Sequence, residues 1–522
     1  MAMGSRVVHS RSLLALLAAM LVGCGASGQG KDAATAGHAG SDGAGADGNP
    51  QTNGGSSGSV FTSAGAEASG AGANAAGGAG AAGTNAIAGA AGNGAAGSVT
   101  GAAGASGSSA VGGGAGAGGG TSNDPCGASN PAVRPLPAIP SATFKITDYG
   151  ALGDNTTNDT AFIQAALSAA TNAGGGTVLV PSGTFLSGPI VLGSSTRLEL
   201  ASGAVLKMLP MASYGAATAF ITADKVHDIA LTGAGTIDGQ GQAWWSAFAG
   251  DSTLARPQEV SFSNSARVQI SGLRFQNSPE EHIWVKGDTD LTVTGITIST
   301  LAVSGQAPPK NTDGVDMNAN GAFFCNNDIA CGDDNLVTAG SDIYVAYSSF
   351  GVGHGCSIGS ITSKGVSSVT VDHLTLDGTT AGIRLKSARD RGGIVKDITY
   401  SNITMKNVPT PVFIASYYPT LPTDPTADAA QAVTATTPYW QNITLKNVTA
   451  TGSTNGGIIW GLPEAKVQGV IFDNLKIQAK TGMEIFHAAG VSFVNGSSVT
   501  PSSGAAVTIS DAAVTGITTK AY

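Results

Sequence analysis

VQISGLRFQNS at 268–278 and LTVTGITIST at 291–300 follow one pattern: a short alternating strand, a polar or glycine kink, and a second alternating strand. The pattern returns as IYVAYSSFG (343–351), VTVDHLTLDG (369–378), ITYSNITMKN (398–407), ITLKNVTAT (443–451) and VIFDNLKIQ (470–478). Alternation with period two marks strands with one buried face. Starts at Val268, Leu291, Ile343, Val369 and Ile398 are separated by one or two turns of about 20–30 residues, the signature of a solenoid. The strands are too short and helices too few for βαβ units. An all-β parallel β-helix is therefore expected, each turn stacking on the last. A β-sandwich is the alternative, and the translational repeat argues against it.

Working outward, the repeat is preceded by a helical pattern. Asn158 or Asp159 can cap a helix over about 160–172, and Gly174–Gly176 would end it. Phe162, Ile163, Ala166 and Leu167 give that helix an apolar face, suited to covering the N-terminal end of a solenoid core. TVLVP (177–181) and TFLSGPIVL (184–192) read as the first strands after it.

Further upstream the composition changes. Residues 25–125 are almost all Gly, Ala, Ser, Asn and Thr, a tract that cannot bury enough apolar surface to offset its ordering entropy and reads as a disordered linker. Residues 1–24 place Arg6 and Arg11 before the apolar run Leu13–Val22, an export-signal layout too short to persist as a spanning helix. Their end, Leu-Val-Gly-Cys24, resembles a bacterial lipobox. It predicts an exported protein held at the outer membrane or cell surface by lipid on Cys24, or otherwise secreted. The folded part is then 126–522, one domain expected to act as a monomer. The formal charge of −9 argues against nucleic acid as a partner, and the only membrane contact expected is the lipid. Cys126, Cys325, Cys331 and Cys356 remain, and four cysteines leave three pairings open.

Charged residues are only 11 % of the chain, yet IACGDDNLVT (329–338) sets Asp333 beside Asp334 in an apolar stretch. Asp313 lies 20 residues before Asp333, and His354 lies 20 after Asp334. Coils stack about 4.8 Å apart, so one coil per step brings all four onto one wall within roughly 10 Å. Arg384 and Lys386 follow His354 by 30 and 32 residues and alternate on one strand face. Carboxylates this close shift each other's pKa, the arrangement an acid–base pair needs.

The motifs NTDGVD (311–316), GDDN (332–335), GHGCSIGS (353–360) and RLK (384–386), in this order, resemble those of the polygalacturonase family of glycoside hydrolases. DYGALGD (148–154), GTIDGQGQAWW (235–245) and NSPEEHI (277–283) extend the resemblance. It implies a right-handed parallel β-helix and cofactor-free, metal-independent, inverting hydrolysis of α-1,4-galacturonan in pectic polysaccharide. It also implies Asp333 as general acid, Asp313 and Asp334 holding the water, and His354 supporting the acid's protonation. Arg384, Lys386 and Tyr418 would then contact substrate. The rivals are a hydrolase of rhamnogalacturonan or another decorated pectin, a calcium-dependent lyase on the same fold, and a non-catalytic polysaccharide-binding β-helix.

Overall fold

The computed structural model describes residues 124, 126–127, 130–300 and 308–522. The leader, Cys24 and nearly all of the Gly/Ala/Ser tract lie outside the described residues. The described part is a right-handed parallel β-helix in which strand pairing is parallel from coil to coil. One inward column shows the repeat directly: Val268, Leu291, Ala322, Ile343, Val369, Ile398, Ile443 and Val470 pair in succession. All eight are buried, and such columns build one continuous core. The 52-residue step from Leu291 to Ile343 is two coils, with Ala322 between.

The kinks form a column of their own. Gly272, Gly295, Asn326, Tyr347, His373, Asn402, Asn447, Asn474 and Asn495 all take positive φ. Glycine enters this region freely, and asparagine does so more easily than other side chains. The amide of Asn447 donates to Asn402 and that of Asn474 to Asn447, both at 3.0 Å. Tyr347 and His373 depart from the asparagine pattern, and their rings stack 4.6 Å apart.

Helix α1 (Thr160–Asn172) covers the N-terminal end of the core with Ile163, Ala166, Leu167 and Ala170. Phe162 stands at the edge of that face, 36 % exposed, and Ala170 fills its expected place. Asp159 stands at the N-cap, but its buried carboxylate accepts from Leu152 N (2.9 Å) and not from the helix. A second helix, α2 (Gln242–Gly250), arises from the QAWW stretch, and the Trp245 indole donates to Ser278 O at 2.9 Å.

Cys126 pairs with Cys325 across 199 residues, while Cys331 and Cys356 are free and buried. The bridge lays the chain that follows Cys126 along the outside of the coil. Ala132 and Val133 pack there on Phe323 and Tyr344, and Arg134 pairs with Asp342 at 2.8 Å.

Candidate active site

One face of the solenoid is built by the first strand of each coil: β1 (Val260–Ser263), β2 (Ile283–Thr294), β3 (Val315–Cys325), β4 (Leu336–Phe350), β5 (Cys356–Ile358), β6 (Ala381–Lys386) and β7 (Thr410–Ala415). Ile283, Val315, Leu336, Cys356, Ile383 and Val412 are in register and point inward. The next residue of each strand points outward, giving the column Trp284, Asp316, Val337, Ser357, Arg384, Phe413. That column is the outward face of this sheet beside the acidic group.

The segments entering β3, β4 and β5 carry the acidic group. Their backbone continues the ladder: His282 N donates to Asp313 O (2.9 Å), Gly314 N to Asp334 O (2.8 Å) and His354 N to Asp333 O (2.8 Å). Asp313, the aspartate pair and His354 therefore share one wall on consecutive coils, as their 20-residue spacing predicts. Arg384 and Lys386 reach the same point from β6, two coils beyond Asp334.

Asp334 is the hub. Its Oδ1 accepts from Arg384 (2.5 Å) and Ser357 (2.9 Å), and its Oδ2 from Lys386 Nζ (2.7 Å). Burial raises this carboxyl, but Lys386, Arg384 and His354 outweigh it and hold Asp334 far below the usual carboxylate range. Asp333 accepts from the backbone of Asn311 (3.1 Å) and Asp334 (3.0 Å). His354 Nδ1 stands 2.8 Å from Asp333 Oδ1, close but off the line of a hydrogen bond. Burial raises Asp333 too; the His354 contact and the charge of Lys386 leave it below its ordinary value. Asp313 is pushed well up, first by burial and then by the charges of Asp333 and Asp316. Asp313 and Asp333 are thus displaced in opposite directions, Asp313 upward and Asp333 downward, the reverse of what crowding alone would do to Asp333. The sequence could not show this, because it depends on which carboxylate the cations touch.

Tyr418 covers the cations, its ring 4.9 Å from Lys386 Nζ and 5.8 Å from Arg384 Cζ. Lys386 is 4 % exposed and committed to Asp334, so its first role in the free protein is to neutralise that carboxylate. Several participants went unnamed among the expected site residues. Asp316 is raised by burial and by the charges of Glu281 and Asp334. Buried Arg256 donates to Pro279 O (2.9 Å), Lys310 O (2.8 Å) and Asn311 Oδ1 (3.1 Å), fixing the loop whose backbone supports Asp333. Cys331 Sγ reaches the carbonyls of Asp333 and Asp334 at 3.3 and 3.4 Å. Asp316 and Glu281 lie inside NTDGVD and NSPEEHI, so strand alternation and coil stacking were the available signals.

The ligand atoms of Asp333, Asp334 and His354 lie within 4.8 Å of one another, a spacing a divalent ion could use. However, Arg384 and Lys386 already place two positive charges on Asp334, and a third cation there would meet their repulsion.

Residues 171–500 match the family model for glycosyl hydrolases family 28. An endo-polygalacturonase of Pectobacterium carotovorum subsp. carotovorum is 30 % identical over 341 residues, covering 58 % of this chain and 80 % of its own length. A Zea mays exopolygalacturonase is 30 % identical over 360 residues, 65 % of this chain and 84 % of its own. Among solved structures, a polygalacturonase from Erwinia carotovora ssp. carotovora aligns with a TM-score of 0.51 at 27 % identity, covering 74 % of this chain and 98 % of that one. An exopolygalacturonase from Thermotoga maritima aligns at 0.56 and 20 % identity, over 73 % and 94 %, and speaks for the fold alone. With its β-helix, its ordered motifs and its acidic wall, the chain belongs to glycoside hydrolase family 28.

Proposed function

We propose that the chain hydrolyses α-1,4 bonds between galacturonic acid residues of pectic polysaccharide, with inversion at the anomeric carbon. The observation that supports this most is the wall of Asp313, Asp333, Asp334 and His354 facing Arg384 and Lys386 on adjacent coils. Inversion needs an acid on one side of the bond and a base with room for water on the other. Asp333, protonated through His354 2.8 Å away, gives that proton to the leaving oxygen, and the imidazole regains one from solvent before the next cycle. Asp334 and Asp313 hold the attacking water. The two differ as bases. Asp334, neutralised by two cations, orients the water, while Asp313, raised by burial, is the stronger proton acceptor once ionised.

Release of reducing sugar from polygalacturonate tests the activity, and the anomer first formed, read by proton NMR, tests inversion. A product absorbing in the ultraviolet through a new double bond would instead assign a lyase. Activity should survive EDTA. Cleavage confined to rhamnogalacturonan would move the substrate within pectin, and no cleavage of any pectic polymer would leave a binding protein.

A further inference from the structure

Arg384 and Lys386 are both spent on Asp334. A polyuronide carries a carboxylate on every ring, so a further cation on the same outward face is informative. On β2, Ile283 and Val285 are buried in the core, which turns Trp284 and Lys286 outward. Lys286 Nζ lies 5.3 Å from the Trp284 ring centroid. Lys286 is exposed, and among the described residues no carboxylate pairs with it. Register puts Trp284 beside Asp316 and Lys286 beside Asn318, with the coil of Asp334 the next one up.

Building on the proposed substrate class, we infer that Trp284 and Lys286 form an outer saccharide subsite that takes one uronate ring. The indole offers an apolar face for the C–H face of a pyranose, and the ammonium offers a charge-assisted contact to its carboxylate. Asp316 adjoins the indole and Asn318 adjoins Lys286 on the next coil, so the carboxylate is received at the Lys286–Asn318 edge. Trp284 lies two coils, about 10 Å, from the coil of Asp334. A pyranose is about one coil spacing long, so the ring on Trp284 is separated from the cleaved bond by one or two others. Only chains that reach this far benefit.

The test measures kcat/KM of wild type, Trp284→Ala, Lys286→Gln and Lys286→Arg on galacturonides of increasing length, with circular dichroism of each. Losses should grow with chain length, reaching roughly tenfold for one lost contact on the longest oligomers. Lys286→Arg should recover most of the lost activity. Equal losses at every length, or none on long chains, would overturn the subsite while leaving the hydrolase reading intact. A wild type that cleaves no galacturonide would overturn that reading and the subsite with it. Lys286 is exposed, so Lys286→Gln carries the test should Trp284→Ala fail to fold.

Discussion

At Asp333 the side chain is small, its surroundings crowded, and its partner an imidazole. Asp333→Asn keeps the volume and removes the transferable proton. Turnover should fall by roughly 10²–10⁴, the usual contribution of a positioned general acid, with little change in KM. Near-normal kcat would remove the acid role. Asp313→Asn should be equally inactive if Asp313 is the proton acceptor, and wild-type kcat/KM should then show an acid limb above the ordinary carboxylate range, because burial raises Asp313. An acid limb at an ordinary Asp value would transfer the base role to another group.

Within the coils, the kink column shows what the sequence conveyed and what it concealed. Asn402, Asn447 and Asn474 recur between alternating strands, and that recurrence reveals the stack. The coil containing Ala322–Cys325 was not legible. Phe323 faces outward, where the strap after Cys126 covers it, so the stretch is apolar on both faces and loses its alternation. The site followed the same division. Spacing alone placed Asp313, the aspartate pair and His354 on one wall, while the resting charge of each depends on Arg384 and Lys386 reaching across two coils. The column makes its own prediction. Asn447→Ala loses a donor to Asn402 and an acceptor for Asn474 and sets a β-carbon at φ 52°. It should cost about 1–2 kcal/mol in urea denaturation. Asn447→Gly should cost less, as glycine keeps the conformation; an unchanged midpoint for Asn447→Ala would show that the column contributes nothing to stability.

For the whole molecule, buried carboxyls set the pH response. Burial and the Glu281 charge push Glu280 from 4.5 to about 8, and burial with the Asp224 charge pushes Asp288 from 3.8 to about 7. Glu259, Asp313 and Asp316 are raised as well. A carboxyl raised on folding binds more protons folded than unfolded, so stability falls as pH climbs from its unfolded value through its folded one. His282, lowered by burial to about 4, works in the opposite direction up to about pH 6.5. Glu484 is raised too, and among the described residues six such carboxyls against one imidazole predict a lower Tm at pH 8 than at pH 5.5; a Tm that rises over that interval would contradict this balance. The proposed lipid on Cys24 has a test at the same scale. Cys24→Ala should move the protein from the membrane fraction to the soluble one, and a wild type already soluble and cleaved elsewhere would end the anchoring proposal.

The Cys126–Cys325 bond also decides where a load would enter. A pull on the chain upstream of Cys126 passes through the sulfur bridge into a mid-stack coil. Helix α1 and the first turns are thereby shielded from tension. A solenoid drawn from its end unwinds one turn at a time, whereas one gripped at its waist must shear many paired strands together. A load arriving through Cys126 therefore meets the solenoid at its middle.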